Sequence, residues 1–234
     1  LLVPGAIVAA LIYVVINATA QLSDTAGVTG GQTAGLREVV ARGAVAIDGP
    51  GLFLQGTLLL VGLVGMLLFA ERQVDTQGDA FAARAATLPG SLDEREFTEQ
   101  GWLQTEIWPL FLFALGGMVL FPVSNDLLTM FVALEVLSLP LYLIAGMARR
   151  RRLLSQEAAL KYFILGSFSS AFFLYGAALL YGYAGSTGLA DIALALTKFT
   201  NNQSMFLLGA LFVAIGLLFK IGVAPFHQWS PDVY

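Results

Sequence analysis

The sequence predicts an all-α, polytopic transmembrane helix bundle. Two observations carry that prediction. Hydrophobic residues fill 57% of the 234 positions and charged residues only 12%, against about 25% charged in a soluble domain; mean hydropathy is +0.78. The apolar residues are also gathered into six runs, roughly 1–18, 51–70, 107–123, 126–147, 156–183 and 204–226. Each run is near the ~20 residues that a helix needs to span a bilayer. The length therefore counts spans, and 1–234 is expected to be a single membrane domain. The chain opens at Leu1 inside an apolar run and stops at Tyr234 just after a Pro- and Trp-containing stretch. It is expected to be a fragment of a longer multispanning protein, without a signal peptide, since no basic start precedes the first run.

After the first run, Gly27–Gly31 is rich in glycine but has no βαβ context for nucleotide binding, and is read as a loop. The second run leads into a polar segment, 71–106, with Asp93, Glu94, Glu96 and Glu99 close together. Pro89-Gly90 marks a turn there, and Ser91 followed by Glu94 fits a capping box opening a short surface helix. A solvated acidic face is the plain reading; a metal site would lack histidine support. The third and fourth runs are separated only by the tight Pro122–Asp126 turn, which makes them antiparallel neighbours.

Four arginines, Arg149, Arg150, Arg151 and Arg152, separate the fourth run from the fifth. Basic loops stay on the cytoplasmic side, so loop 148–155 is expected there in a multi-pass cell-membrane protein. Loop 71–106, with Arg72, Arg84 and Arg95, falls on the same side, while the other side holds Arg37, Arg42 and Lys198. The arginines serve as a topology anchor, with a lipid head-group or partner-subunit contact as the alternative. The net charge of −4 says little about partners. With no cysteine and one histidine, the chain lacks the usual ligands of iron–sulfur clusters and of most haem sites, and it forms no disulfide.

Three charges remain inside the runs: Glu135, Lys161 and Lys220. An ionisable group at membrane depth costs several kcal/mol (~2.5–3.5 on insertion scales) and marks a functional site by default. Glu135 lies nine residues into its run, about 13 Å deep, near the midplane of a ~30 Å core. Pro140 follows, and it removes a helical hydrogen bond. Glu135 is either a proton- or ion-pathway residue or one half of a structural ion pair.

Lys161 pairs with Glu157 one turn earlier. It either snorkels to the interface or reaches Glu135 across the antiparallel helices. Lys220 precedes Gly222 and Pro225, both of which interrupt a helix. That predicts a broken helix near 220–226, of the kind that lines polar cavities at membrane depth. A snorkelling lysine is the alternative. His227 follows the break and is either a packing residue or a proton relay, since imidazole titrates near neutrality. Trp229 and Tyr234 read as interface-belt aromatics. Gly116-Gly117, Gly166 with Ser169-Ser170, and Gly176–Ala178 suit close helix packing.

Three stretches, LEVLSLPL at 134–141, ALKYFIL at 159–165 and FKIGVAPFHQWSPDVY at 219–234, resemble the antiporter-like membrane subunits of NADH:quinone oxidoreductase, respiratory complex I. The Pro-Phe-His-x-Trp-x-Pro-Asp-Val-Tyr ending differs from the sister subunits L and M. The resemblance is one of motif over 124–234 and of span arrangement over 1–123. It implies an antiporter-like inverted-repeat fold of about fourteen helices, of which this chain holds the second to seventh.

It also implies proton translocation through buried charges, with Glu135 and Lys161 as a coupled pair, Lys220 as the central proton-binding residue and His227 on the axis leading onward. No cofactor is expected in this chain; NAD, FMN, iron–sulfur clusters and quinone would belong to partner subunits. The partners implied are other membrane subunits, including the antiporter-like subunit M and small subunits such as K. A subunit of a cation/proton antiporter and a passive membrane scaffold are the rival functions.

Overall fold

The computed structural model describes residues 2–26, 38–71, 81, 87–88, 90–100, 106–148, 151–197 and 203–233. Arg37, Arg72, Arg84, Arg149, Arg150, Lys198, Pro89, Tyr234 and the 27–31 glycine stretch lie outside the described residues. Helix α1 (Leu2–Ala26) is followed by a small antiparallel hairpin, β1 (Glu38–Val40) and β2 (Val45–Ile47), and then by α2 (Gly49–Ala70). Helix α3 (Leu92–Glu99) is the short polar helix. Helix α4 (Ile107–Leu120) passes through a 3-10 turn, Phe121–Val123, into α5 (Leu127–Gly146). Helices α6 (Arg152–Ala184), α7 (Leu189–Thr197), α8 (Gln203–Ile221) and α9 (Ser230–Val233) complete the chain.

Helices α1, α2, α5, α6 and α8 are long and apolar enough to cross a membrane, and α4 is a shorter apolar helix. Their outer faces carry exposed Leu60, Val61, Leu67, Leu68, Phe168 and Leu207. Such a surface suits lipid or further protein rather than water. The helix starts obey ordinary capping chemistry. Asp48 caps α2 by accepting from the Gly51 amide at 2.8 Å. Asp126 caps α5 by accepting from the Leu128 and Thr129 amides, both at 2.9 Å.

Two apolar clusters are the largest among the described residues. Ile7, Leu52, Leu59, Met66 and Leu115 join α1, α2 and α4. Leu127, Leu134, Phe173, Ala177 and Leu180 join α5, α6 and α8, with Ile192 of α7 against them. Glycine sets how closely the helices cross. A Cβ at Gly117 would collide with the α5 backbone at Leu137 and Ala133. A Cβ at Gly176 would lie 2.7 Å from both the Gly209 carbonyl and the Val213 amide of α8. Both contacts are at backbone, which cannot yield.

Each end of the bundle is tied by the chain between helices. At one end Asn125 donates to the Gly43 carbonyl at 2.7 Å, and the Leu127 amide donates to Thr187 at 3.0 Å. At the other end Phe81 bridges Ala148, and Arg152 donates to the Thr87 hydroxyl and carbonyl at 3.1 and 2.9 Å. The 71–106 and 148–155 loops thus meet at one end. Arg152, read from the sequence as part of a topology anchor, is buried, and its guanidinium ties the two loops together through Thr87. The hairpin and α7 carried no sequence expectation. Both are short, well below the ~20 residues of a membrane span.

Candidate functional site

Pro140 sits within α5 and offers no N–H to the Val136 carbonyl. In the same stretch Ser138 donates to the Leu134 carbonyl at 2.5 Å. Glu135, Ser138 and Tyr142 are spaced so that they share one face of this helix. The carboxylate of Glu135 accepts a hydrogen bond from the Ser170 hydroxyl of α6. Tyr142 lies over Gly166 of α6, where a Cβ would collide with the phenol. Its ring meets Tyr162 edge-on, with centroids 4.5 Å apart.

Helix α8 ends at Ile221, one residue after Lys220. Gly222 adopts φ +70°, a left-handed conformation that costs glycine nothing. The Val223 amide then reaches back to the Leu218 carbonyl at 3.2 Å, closing the helix as a Schellman-type cap. The break expected from Gly222 and Pro225 is therefore present. The Lys220 ammonium points to α5, donating to Ser138 at 2.5 Å and to Tyr142 at 3.3 Å. Ser138, on which the ammonium rests, stands one turn from Glu135 on the same face of α5. Lys220 and Glu135 thus belong to one polar cluster, built on α5 and closed by α6 and α8.

Lys161 does not join that cluster. It pairs with Glu157 at 2.9 Å and with Asp232 of α9 at 3.2 Å, and its side chain is 48% exposed. Helix register explains this departure from the expected Glu135 contact. Gly146 lies against Ala159 and Glu135 against Ser170, so Lys161 is level with the last turn of α5. Glu135 is about 13 Å farther along the axis, beyond the reach of a lysine. The sequence placed the start of α6 at 156; it begins at Arg152, and its first turns project past α5. An exposed ion pair contributes little. Lys161→Ala is therefore expected to leave thermal stability in detergent nearly unchanged, read as a melting temperature.

His227 is exposed on the surface of this chain, and its carbonyl accepts from the Ser230 amide at 3.0 Å. Trp229, expected at the membrane interface, is instead buried. It stacks on Tyr162 with centroids 4.5 Å apart and donates to the Phe219 carbonyl at 3.1 Å. The chain after the break folds back onto α6, and the Phe219 carbonyl accepts from the indole as well as from the Gly222 amide. Beside it lies a cavity of about 210 Å³ lined by Leu165, Phe168, Ser169, Phe172, Phe226 and Trp229, among others. Sequence reasoning missed Ser138 and Tyr142, and read Ser170 only as a packing residue. The signal that could have found them is their spacing from Glu135 and Lys220 on facing helices. Among the described residues, no cluster of three His, Asp or Glu is placed to hold a metal.

Residues 124–234 match the family described as NADH:quinone oxidoreductase/Mrp antiporter, transmembrane. The chain is 58% identical over 220 residues to NADH-quinone oxidoreductase subunit N of Rhodococcus opacus, covering 86% of this chain and 41% of that one. It is 55% identical over 230 residues to the subunit of the same name from Acidothermus cellulolyticus, covering 98% and 41%. The chain spans about two-fifths of the length of these curated relatives. Among solved structures it is similar to a chain of respiratory complex I from Thermus thermophilus with bound aureothin. That match has 32% identity and a TM-score of 0.63, and it covers 99% of this chain and 42% of that one. A chain of the Mrp complex from Dietzia shares the fold at 21% identity and a TM-score of 0.62, covering 99% and 39%.

Proposed function

Because its residues 124–234 belong to the NADH:quinone oxidoreductase/Mrp antiporter transmembrane family, we propose that this chain is part of a proton-translocating membrane subunit of an NADH:quinone oxidoreductase. The observation that carries this function is the seating of Lys220 at a helix break against the α5 face that bears Glu135. A strut between helices needs no break beside it. A proton carrier gains from one, because a broken helix presents backbone carbonyls to water.

Lys220 loads and releases the proton, and Glu135 sets how firmly the ammonium is held. An opposite charge nearby favours the ionised form of each partner. Ser170 orients the carboxylate. His227, on the segment after the break, takes the proton onward through water. Lys161 acts from the rim, by holding α9 through Asp232.

Electron transfer from NADH to quinone takes place in partner subunits, which carry NAD, FMN, iron–sulfur clusters and quinone. The membrane neighbours include an antiporter-like subunit M and small subunits such as K. Loops 71–106 and 148–155 face the cytoplasm. Their contact through Arg152 and Thr87 supports a common side, and the arginines support which side that is.

The second function, a subunit of a cation/proton antiporter, uses the same fold and the same buried charges. The two separate in vesicles carrying the assembled complex. NADH addition is expected to drive proton uptake that persists without sodium. Sodium-dependent transport that needs no NADH oxidation would overturn the assignment in favour of the antiporter.

A further inference from the structure

Glu135, Ser138 and Tyr142 stand at i, i+3 and i+7 on α5 and share one face of it. The Lys220 ammonium rests on the last two. Both are nearly excluded from solvent, Ser138 at 1% and Tyr142 at 5% exposure. The hydrogen of Ser138 is committed to the Leu134 carbonyl, so toward Lys220 its oxygen acts as an acceptor. The Tyr142 phenol is held in place from behind by the missing Cβ of Gly166 and the edge of Tyr162. Each contact is specified by a neighbouring helix, so the arrangement is a built seat.

We propose that Ser138 and Tyr142 are positioning residues for Lys220: their two hydroxyls fix the ammonium on the Glu135 face of α5 and aim its remaining N–H. An ammonium has three N–H donors on a tetrahedral nitrogen. Two of them go to the hydroxyls, and that sets the direction of the third. Proton transfer needs donor and acceptor within hydrogen-bond reach, so a lysine left to swing on four rotatable bonds exchanges its proton more slowly. The inference rests on the proton-translocation function proposed above for Lys220.

The test uses the full-length subunit in the assembled complex, in vesicles, reading NADH-driven proton uptake per NADH oxidised across a pH series. The Ser138→Ala/Tyr142→Phe double variant is expected to assemble, to lose about tenfold in uptake, in line with losing hydrogen bonds to a charged group, and to show a displaced pH profile. Ser169→Ala serves as the packing control. It removes another buried hydroxyl, one that donates to the Gly216 carbonyl at 3.1 Å and not to Lys220, and it is expected to keep its uptake and its profile.

Normal uptake in the double variant, with uptake abolished in Lys220→Ala, would overturn this inference and leave the function standing. Normal uptake in Lys220→Ala would overturn the function itself. A loss that scales the profile without displacing it, or an equal loss in Ser169→Ala, would mark the hydroxyls as packing groups and overturn the inference. Should the double variant fail to assemble, Tyr142→Phe, which deletes a single oxygen, decides by the same readouts.

Discussion

Lys220→Ala is expected to leave the complex assembled and NADH oxidisable while proton uptake falls by about a hundredfold, the scale of losing a positioned proton-transfer group. The structure favours intact assembly. Lys220 sits in the last turn of α8, and the break is closed by backbone bonds and by Trp229, neither of which uses the ammonium. Packing of α8 against α6 depends on Gly176, Gly209 and Gly216, farther down the helix. Truncation leaves the Ser138 hydroxyl bonded to Leu134, and Tyr142 keeps its ring contacts with Tyr162 and Phe163. A passive scaffold predicts the reverse: lost assembly, with normal pumping in whatever complex survives. Quantifying the subunit in purified membranes beside proton uptake per NADH separates the two.

Glu135→Ala is the second large effect, with uptake expected to fall roughly tenfold, the size of a coupling between interacting sites. The carboxylate accepts from Ser170 and stands one turn from Ser138, on which Lys220 rests, in a membrane interior where charge interactions are less screened than at the surface. Glu135→Gln keeps an acceptor for Ser170 and removes the charge, so it is expected to resemble Glu135→Ala. Glu135→Asp keeps the charge one methylene short and is expected to be milder. If Gln behaved like the unaltered protein, the hydrogen bond and not the charge would be the working feature. The same vesicle assay reads all three.

Charge at membrane depth made Glu135 and Lys220 visible in the sequence, because its cost marks it out. Gly222 and Pro225 made the break visible for a similar reason, as residues that helices avoid. Ser138 and Tyr142 escaped notice, and Ser170 was read only as a packing residue, because hydroxyls are ordinary in membrane helices and cost little there. What gives them meaning is register, which residue faces which across two helices, and a single sequence does not carry it. Lys161 went astray through register too. Helix α6 extends past the end of α5, with Ala159 level with Gly146, so Lys161 lies at the rim with Asp232 and not at the depth of Glu135. Trp229 misled by type. Tryptophan near a helix end usually marks the interface, but here the chain turns back and the indole closes the end of α8.

The central claim is that Glu135 and Lys220 act as one unit in moving protons. A double-mutant cycle tests it most directly, using proton uptake per NADH for Glu135→Ala, Lys220→Ala and the double variant in assembled complex. Groups that act together lose their effect together. The double variant is predicted to be no worse than Lys220→Ala alone. Losses that multiply, so that the double variant falls by the product of the two single effects, would show two independent contributions and contradict the account.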